Sequence, residues 1–229
     1  MRIKHVFVGF AAAALMCTSA FADEEEGGFS GNVTIASDYS FRGISQTNLL
    51  PAIQGGFDYE LENGFSFGTW ASNVNYGDGT SQELDLYVGF TQSLNDTTSL
   101  SFSLIQLEYP GEGENYDYQE IAASLDISSI SLGFVYSPSY VGVNDWQFTY
   151  LSLGYGTTLG ENVDFSASIG LNSADDIAGD GEDTYMDYAV GVSVPLKGLD
   201  LGLQVVGTNI EDGGEASEGR LVFSLSKSL

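Results

Sequence analysis

The sequence predicts an all-β chain: an antiparallel transmembrane β-barrel of twelve strands with short periplasmic turns and longer extracellular loops. Three observations predict it. From Phe29 to Leu229 the chain is a succession of short apolar/polar alternations, the period of a strand with one oily and one wet face. The connectors between these segments are alternately long and acidic, then short, and a two-sheet sandwich has no reason to sort its loops by parity. The N-terminus, finally, reads as an export leader.

In that leader Arg2, Lys4 and His5 form a basic start, Val6 to Met16 an apolar stretch, and Ala20-Phe21-Ala22 a small-residue cleavage site, the three parts of a secretory signal. The apolar stretch is far short of the ~20 residues a spanning helix needs. Ala14-Leu15-Met16 before Cys17 does not suit a lipid-attachment box. Residues 1–22 are therefore expected to be a cleaved signal peptide, 23–28 an acidic periplasmic tail and 29–229 the barrel.

Composition narrows the class further. The leader holds the one His, the one Cys and two of the six basic residues, and none of the thirty-two acidic ones. A strongly acidic chain could be disordered, but aromatic residues make up 13% of this one, and disordered acidic chains lack them. Four dispersed cations cannot build a basic patch, so nucleic acid is excluded as a partner. Without Cys there is no disulfide framework.

Strands are expected at 29–42, 52–61, 65–74, 83–93, 99–109, 116–127, 130–137, 145–158, 163–173, 184–196, 199–208 and 219–229. Most approach the ~10 residues with which a tilted strand crosses hydrocarbon. In the first, the odd positions from Phe29 to Phe41 are mostly apolar and the even ones polar or small. In the fourth, Leu84, Leu86, Val88 and Phe90 alternate with Glu83, Asp85, Gly89 and Thr91 across the other face. Val163, Phe165, Ala167, Ile169 and Leu171 do the same in the ninth, and Leu221, Phe223 and Leu225 in the last, which ends on Leu229 rather than an aromatic. The phase slips at Leu104-Ile105 and Tyr150-Leu151, where a bulge or a misplaced strand end is expected. Tight hairpin turns follow the even strands at 62–64, 95–98, 128–129, 160–162 and 197–198. Long connectors follow the odd ones at 43–51, 75–82, 110–115, 138–144, 174–183 and 209–218. Phe29, Phe57, Tyr59, Phe65, Phe67, Trp146 and Phe148 fall near strand ends, where interfacial girdles form.

Ser37-Asp38-Tyr39-Ser40-Phe41-Arg42-Gly43-Ile44-Ser45-Gln46-Thr47, then Pro51-Ala52-Ile53-Gln54-Gly55-Gly56-Phe57-Asp58-Tyr59, then Gly68-Thr69-Trp70-Ala71-Ser72-Asn73-Val74, together resemble the TorF family of proteobacterial porins. The resemblance is specific over residues 37–74. It implies a barrel in the outer membrane of a Gram-negative cell and brings no catalytic or substrate residues with it.

Parity assigns the wet face. The pore-lining candidates are Asp38, Arg42, Gln54, Asp58, Glu60, Glu83, Asp85, Asp126, Asp164, Asp187 and Arg220. A register that sets Arg42 opposite Gln54 also sets Asp38 opposite Asp58. Barrel closure would bring Arg220 beside Arg42, giving one basic stripe on an otherwise negative wall and a preference for cations. Arginines that neutralise Asp38 and Asp58 and stiffen the barrel are the plainer alternative. Trp70 is a candidate for stacking on sugars.

No enzyme is expected, because hydrolysis in barrels of this size relies on a His general base, and none follows the leader. Zinc and iron lack His and Cys ligands, and no cofactor is expected. Asp175 to Asp183 is an acid-rich loop with glycines. It is expected to be solvated, or alternatively to bridge through divalent cations to lipopolysaccharide phosphates. Twelve strands fall between the filled interior of ~8 and the open channel of ~16. The expected function is a narrow passive channel for small solutes. The rival is a non-conducting structural or adhesin-like barrel with ion- or partner-binding loops. The expected partners are outer-membrane lipid, lipopolysaccharide, small solutes and, during biogenesis, the barrel assembly machinery.

Overall fold

Twelve of the chain's strands close on themselves in sequence order. The structure, a computed structural model, describes residues 28–111, 115–178 and 181–229, so the expected signal peptide and nearly all of the acidic tail lie outside the described residues. The strands are β1 (Phe29–Ala36), β2 (Ser40–Phe41), β3 (Ile44–Ser45), β4 (Ala52–Glu60), β5 (Phe65–Asn73), β6 (Gln82–Asn95), β7 (Thr98–Glu108), β8 (Tyr118–Ile127), β9 (Ile130–Ser137), β10 (Phe148–Leu159), β11 (Val163–Ser173), β12 (Thr184–Leu196), β13 (Leu199–Thr208) and β14 (Arg220–Ser228). All but β2 and β3 form the closed antiparallel barrel. β1 completes the ring by pairing β14 on one side, Asn32 opposite Ser228, and β4 on the other, Phe29 opposite Tyr59.

Loop parity holds. The turns 61–64, 96–97, 128–129, 160–162 and 197–198 gather at one end, and the connectors 37–51, 74–81, 109–117, 138–147, 174–183 and 209–219 at the other. The tight turns rest on residues that tolerate positive φ, among them Gly64 and the pair Lys197-Gly198 at 55° and 80°, the conformation a two-residue hairpin requires.

The outer wall is apolar. Val33, Ile35, Leu86, Leu104, Leu132, Leu151, Ile169, Leu203 and Phe223 are exposed there, the outward apolar band of a transmembrane barrel. Phe29, Phe57, Tyr59, Phe65 and Phe67 stand exposed on the outside near the short turns. Trp146 and Phe148 do not join such a girdle: Phe148 is wholly buried on the inner face, stacked 4.2 Å from Tyr140, and Trp146 packs on the same ring.

Two expectations about phase are corrected. The 7–8 register runs unbroken from Thr98 to Leu107, and the 10–11 register from Thr149 to Leu159, so neither Leu104-Ile105 nor Tyr150-Leu151 is a bulge. Ile105 and Tyr150 are apolar or aromatic residues that face inward. The register shift that does occur lies at Ser93/Asn95, beside a short turn. The first strand is also shorter than expected. It ends at Ala36, and the chain then turns into the barrel.

Candidate functional site: an inward hairpin in the lumen

After Ala36 the chain makes a small hairpin, β2 and β3, whose register sets Ser40 opposite Ser45 and Phe41 opposite Ile44. Arg42 and Gly43 are its two central residues, with φ of 48° and 83°, the left-handed pair of a type I′ turn. A side chain at Gly43 would sit 2.6 Å from the Gly207 carbonyl oxygen, so glycine is what allows the hairpin tip to lie flat against β12 and β13.

The hairpin is fastened on several sides. Asp38 accepts hydrogen bonds from the hydroxyls of Ser45 and Thr47, the latter at 2.8 Å, and an ion pair at 2.6 Å from Arg220 Nε. Arg220 Nη1 also donates to the carbonyls of Gly43, Ala216 and Glu218, and Ser45 N donates to Ala216 O at 2.8 Å. On the other flank Asn75 N and Tyr76 Oη both donate to Gln46 at 2.8 Å. Arg42 reaches across the lumen. Its Nη2 donates to both carboxylate oxygens of Glu120 on β8 at 2.9 Å, and its guanidinium lies 4.5 to 4.9 Å from the ring centres of Phe41, Phe148 and Tyr150. Burial, the largest influence, works against that charge, but the Glu120 carboxylate together with Tyr140, Tyr118 and Tyr150 outweighs it and holds the guanidinium pKa above its ordinary value.

Around the hairpin the inner wall is closely packed. Ala36, Trp70, Ile105, Leu107, Tyr118, Val135, Phe148, Tyr150, Val206 and Val222 form one buried cluster with Tyr39 and Phe41. Tyr39 meets Trp70 edge-on at 5.3 Å and donates to Glu83 Oε1 at 3.2 Å; the indole is buried, which leaves it no open face for a sugar. Burial, then the nearby Glu83 and Asp85, push the Tyr39 phenol well up, so it remains a donor. A run of rings in contact, from Tyr76 through Tyr109, Tyr118 and Tyr140 to Trp146, covers the assembly at the long-loop end.

Toward the short turns the inner wall changes character. Ser30, Asn32, Ser66, Ser101, Ser103, Ser124, Ser131, Ser152, Ser166, Ser168 and Ser224 face inward and are only half-buried. One fixed device recurs in both parts. Tyr87 crosses over Gly68, where a Cβ would lie 2.3 Å from its ring, to donate to Asp58. Tyr150 crosses over Gly170 with the same clearance to donate to Asp187 at 3.3 Å. Each glycine is the gap through which a tyrosine on one strand reaches a carboxylate two strands away.

The expected site residues thus separate. Asp38, Arg42, Glu83, Asp85, Asp187 and Arg220 meet in or against the hairpin assembly. Gln54 is half-buried near the long-loop end of β4, opposite Ser72; Asp58, Asp126 and Asp164 are half-buried toward the short turns, where Asp126 is held by Ser131 and Ser124 and Asp164 accepts from Thr158, and Glu60 is exposed at the end of β4. Two expectations fail. Gln54 stands opposite Thr34 and Asp58 opposite Ser30, because the strand ends before Asp38 and Arg42. There is also no basic stripe: Arg42 and Arg220 diverge to Glu120 and Asp38. Asp58 is satisfied by Tyr87 rather than by an arginine. Glu120, Tyr39 and the inward aromatics were missed by the sequence reading. In the acidic loop after β11, Asp176 accepts from Gly181 N and its own N donates to Asp183, while 179–180 lie outside the described residues. Among the described residues no group of carboxylates is arranged to hold a metal ion.

The closed twelve-strand ring with an apolar exterior, a polar wall and an inward segment defines a porin-type transmembrane β-barrel. The chain belongs to the family described as "Bacterial protein of unknown function (Gcw_chp)", whose model matches residues 22–226; that match establishes this family and not the TorF name suggested by residues 37–74. No curated protein matches in sequence. Among solved structures, a KdgM porin superposes with a TM-score of 0.53 at 10% identity, over 87% of this chain and 99% of that one. A NanC porin gives 0.56 at 8% over 87% and 98%. A KdgM porin in complex with disordered oligogalacturonate gives 0.56 at 9% over 88% and 98%. At such identities these proteins share the fold.

Proposed function

We propose that this protein is an outer-membrane channel for small solutes, that the structure represents its closed state, and that the β2–β3 hairpin is its constriction. The observation that carries this reading is that the hairpin fills the lumen without belonging to the wall: β1 pairs β4 and β14 along residues 29–36, so the ring closes whether or not the hairpin is seated. On the short-turn side the half-buried serines and glycines leave room for water, as a conduit requires. The porin fold of its structural neighbours supports the location, with the short turns periplasmic, the long loops extracellular and lipopolysaccharide around the outer rim. The alternating closing strand β14 supports entry through the barrel assembly machinery. Nothing in this reading calls for catalysis.

Cation preference follows from charge placement. Both arginines are held by carboxylates, and Lys197 and Lys227 are exposed at the short-turn end, Lys227 bonded to Gly198 O. Among the described residues no unpaired cation faces the lumen, whereas Asp126, Asp58 and Asp164 do. KdgM is named with an acidic oligosaccharide; the wall here suits small neutral or cationic solutes instead. The two buried ion pairs favour a second reading, a permanently closed structural barrel. Planar-bilayer recordings separate the two. The channel reading expects conductance steps in a variant with residues 40–45 replaced by a Gly-Ser link, and a reversal potential in a salt gradient of the sign for cation flow. Silence from that folded variant would establish the structural barrel, and anion selectivity would overturn the charge argument.

A further inference from the structure

The hairpin seat contains more carboxyl groups than its cations and donors satisfy. Glu83 and Asp85 occupy successive inward positions on β6 and are 2% and 1% exposed. Neither oxygen of Asp85 has a hydrogen-bond partner, nor does Oε2 of Glu83; Glu83 Oε1 takes the Tyr39 phenol of the hairpin. Among the described residues the one cation in reach, Arg42, is already engaged by Glu120. The other groups facing the pair are Tyr76 from the loop after β5, Tyr109 and Tyr118 from β7's end and β8, and Tyr140 from the loop after β9. All are phenols, none a cation. Asp187, by contrast, is also buried but carries two donors, Asn172 at 2.7 Å and Tyr150.

A carboxylate without partners in such a place is strongly disfavoured, and two on adjacent inward positions disfavour each other. The neutral acid is the form that fits. We propose that Glu83 and Asp85 form a proton latch: as neutral acids they seat the β2–β3 hairpin in the lumen, and their ionisation releases it. This rests on the channel reading above and supplies its regulation. The sign follows from linkage. The closed state binds more protons than an open state in which water reaches both groups. Closure is therefore complete at low pH and is lost as pH rises through the closed-state pKa of the pair. Release moves Tyr39 away from Glu83 and lifts Arg42 from Glu120, and the ionised pair then adds two negative charges to the exposed wall.

The test is single-channel recording of the wild-type protein between about pH 5 and about pH 9, the same buffer on both sides. Open probability is expected to rise with pH, by up to about tenfold per unit for each proton released. The amides Glu83→Gln and Asp85→Asn keep the shape but cannot ionise. Each should flatten the profile, and the double variant should stay closed to the alkaline limit. Folding of each is checked by the shift in gel mobility between unheated and heated samples. A wild-type profile indifferent to pH, or folded amide variants that keep the wild-type profile, would overturn the latch. The 40–45 replacement separates this from the channel reading: if it conducts while the wild type ignores pH, only the latch fails, and if it is silent, the channel fails.

Discussion

The two halves of the lumen are built from the same twelve strands and differ in what those strands turn inward. Toward the long loops the inward positions carry Trp70, Ile105, Leu107, Tyr118, Val135, Phe148 and Tyr150, all buried against the hairpin. Toward the short turns the same strands present Ser66, Ser101, Ser103, Ser124, Ser131, Ser152 and Ser166, none fully buried. The outer face stays apolar along this axis. What separates the halves is therefore the inner face alone, and the difference marks where a piece of chain has to be packed and where water has to be admitted. Carboxylates follow the same division. In the packed half Asp38 and Glu120 are held by arginines, Asp187 by Asn172 and Tyr150 and Glu83 by Tyr39, while Asp85 has no partner; in the wet half Asp126 and Asp164 accept from the hydroxyls of Ser131 and Thr158.

Thiol labelling breaks or sharpens this contrast most directly, since the chain has no cysteine after Cys17. Cysteine at Ser103 or Ser166 should react with a charged water-soluble reagent at close to the rate of a free thiol. Cysteine at Ser72 or Ser137, both buried, should react slower by orders of magnitude, at a rate set by opening of the packed half. Equal rates at all four positions would remove the division. In energetic terms the largest effect is expected from Arg42→Ala. It strands Glu120, 0% exposed, as an unpaired buried charge, which costs about 3–5 kcal/mol. Urea unfolding of the refolded barrel should register the loss, and Ser137→Cys should label faster in that background. Replacing both partners by apolar residues, Arg42→Met with Glu120→Leu, should recover most of the stability, because the penalty lies in the orphaned charge rather than in the missing bond.

Much of the barrel was legible in the sequence, and the reason is periodicity. Alternation and loop parity place eleven of the twelve wall strands to within about three residues, since each must expose one apolar face to lipid and cross a fixed thickness. The hairpin was not legible from the same signal. Ser40 and Phe41 continue the alternation of β1 because they too form a strand, and a period of two does not say whether a strand stays in the wall. Two features did carry the information. A first strand reaching residue 42 is longer than the ~9–11 residues a tilted crossing needs. The slips at Ile105 and Tyr150 were apolar residues in the inward phase, and an apolar residue facing a water-filled lumen implies a segment there to cover it. Read together, they locate a filled upper lumen. The Arg42–Glu120 pair was beyond reach, because it joins β8 to a residue whose own strand assignment was in error.

The tyrosine-over-glycine device occurs once in each half and so compares them at fixed chemistry. Gly170→Ala places a methyl 2.3 Å from the Tyr150 ring and 2.5 Å from Asp187 Oδ2, and Tyr150 also backs the Arg42 guanidinium. The ring has no space to yield, and the loss should approach the upper end of the ~1–3 kcal/mol typical of overpacking. Gly68→Ala crowds Tyr87 to the same distance, but that side chain is half-buried and can swing toward the wet lumen, exchanging Asp58 for water. Its cost should sit near the lower end of the range, measured by the same urea titration. A Gly68→Ala loss as large as that of Gly170→Ala would mean that the lower half is as tightly packed as the upper.

The smallest effect on stability is expected where glycines flank an inward serine in the lower half. Ser166 faces inward opposite Gly156 on one side and Gly191 on the other, so directly across from it neither neighbouring strand carries a side chain. Ser166→Phe should change unfolding free energy by no more than about 0.5 kcal/mol, a tolerance no inward position beside the hairpin would share. Its consequence belongs to transport instead. Combined with replacement of residues 40–45, it adds a further ring to the bore and should lower the unitary conductance of the hairpin-less barrel without changing its charge selectivity, since Ser166→Phe neither adds nor removes an ionisable group. If conductance were unaffected while stability fell, the lower half would be a packed core like the upper one, and the hairpin would be closing a lumen that was never open beneath it.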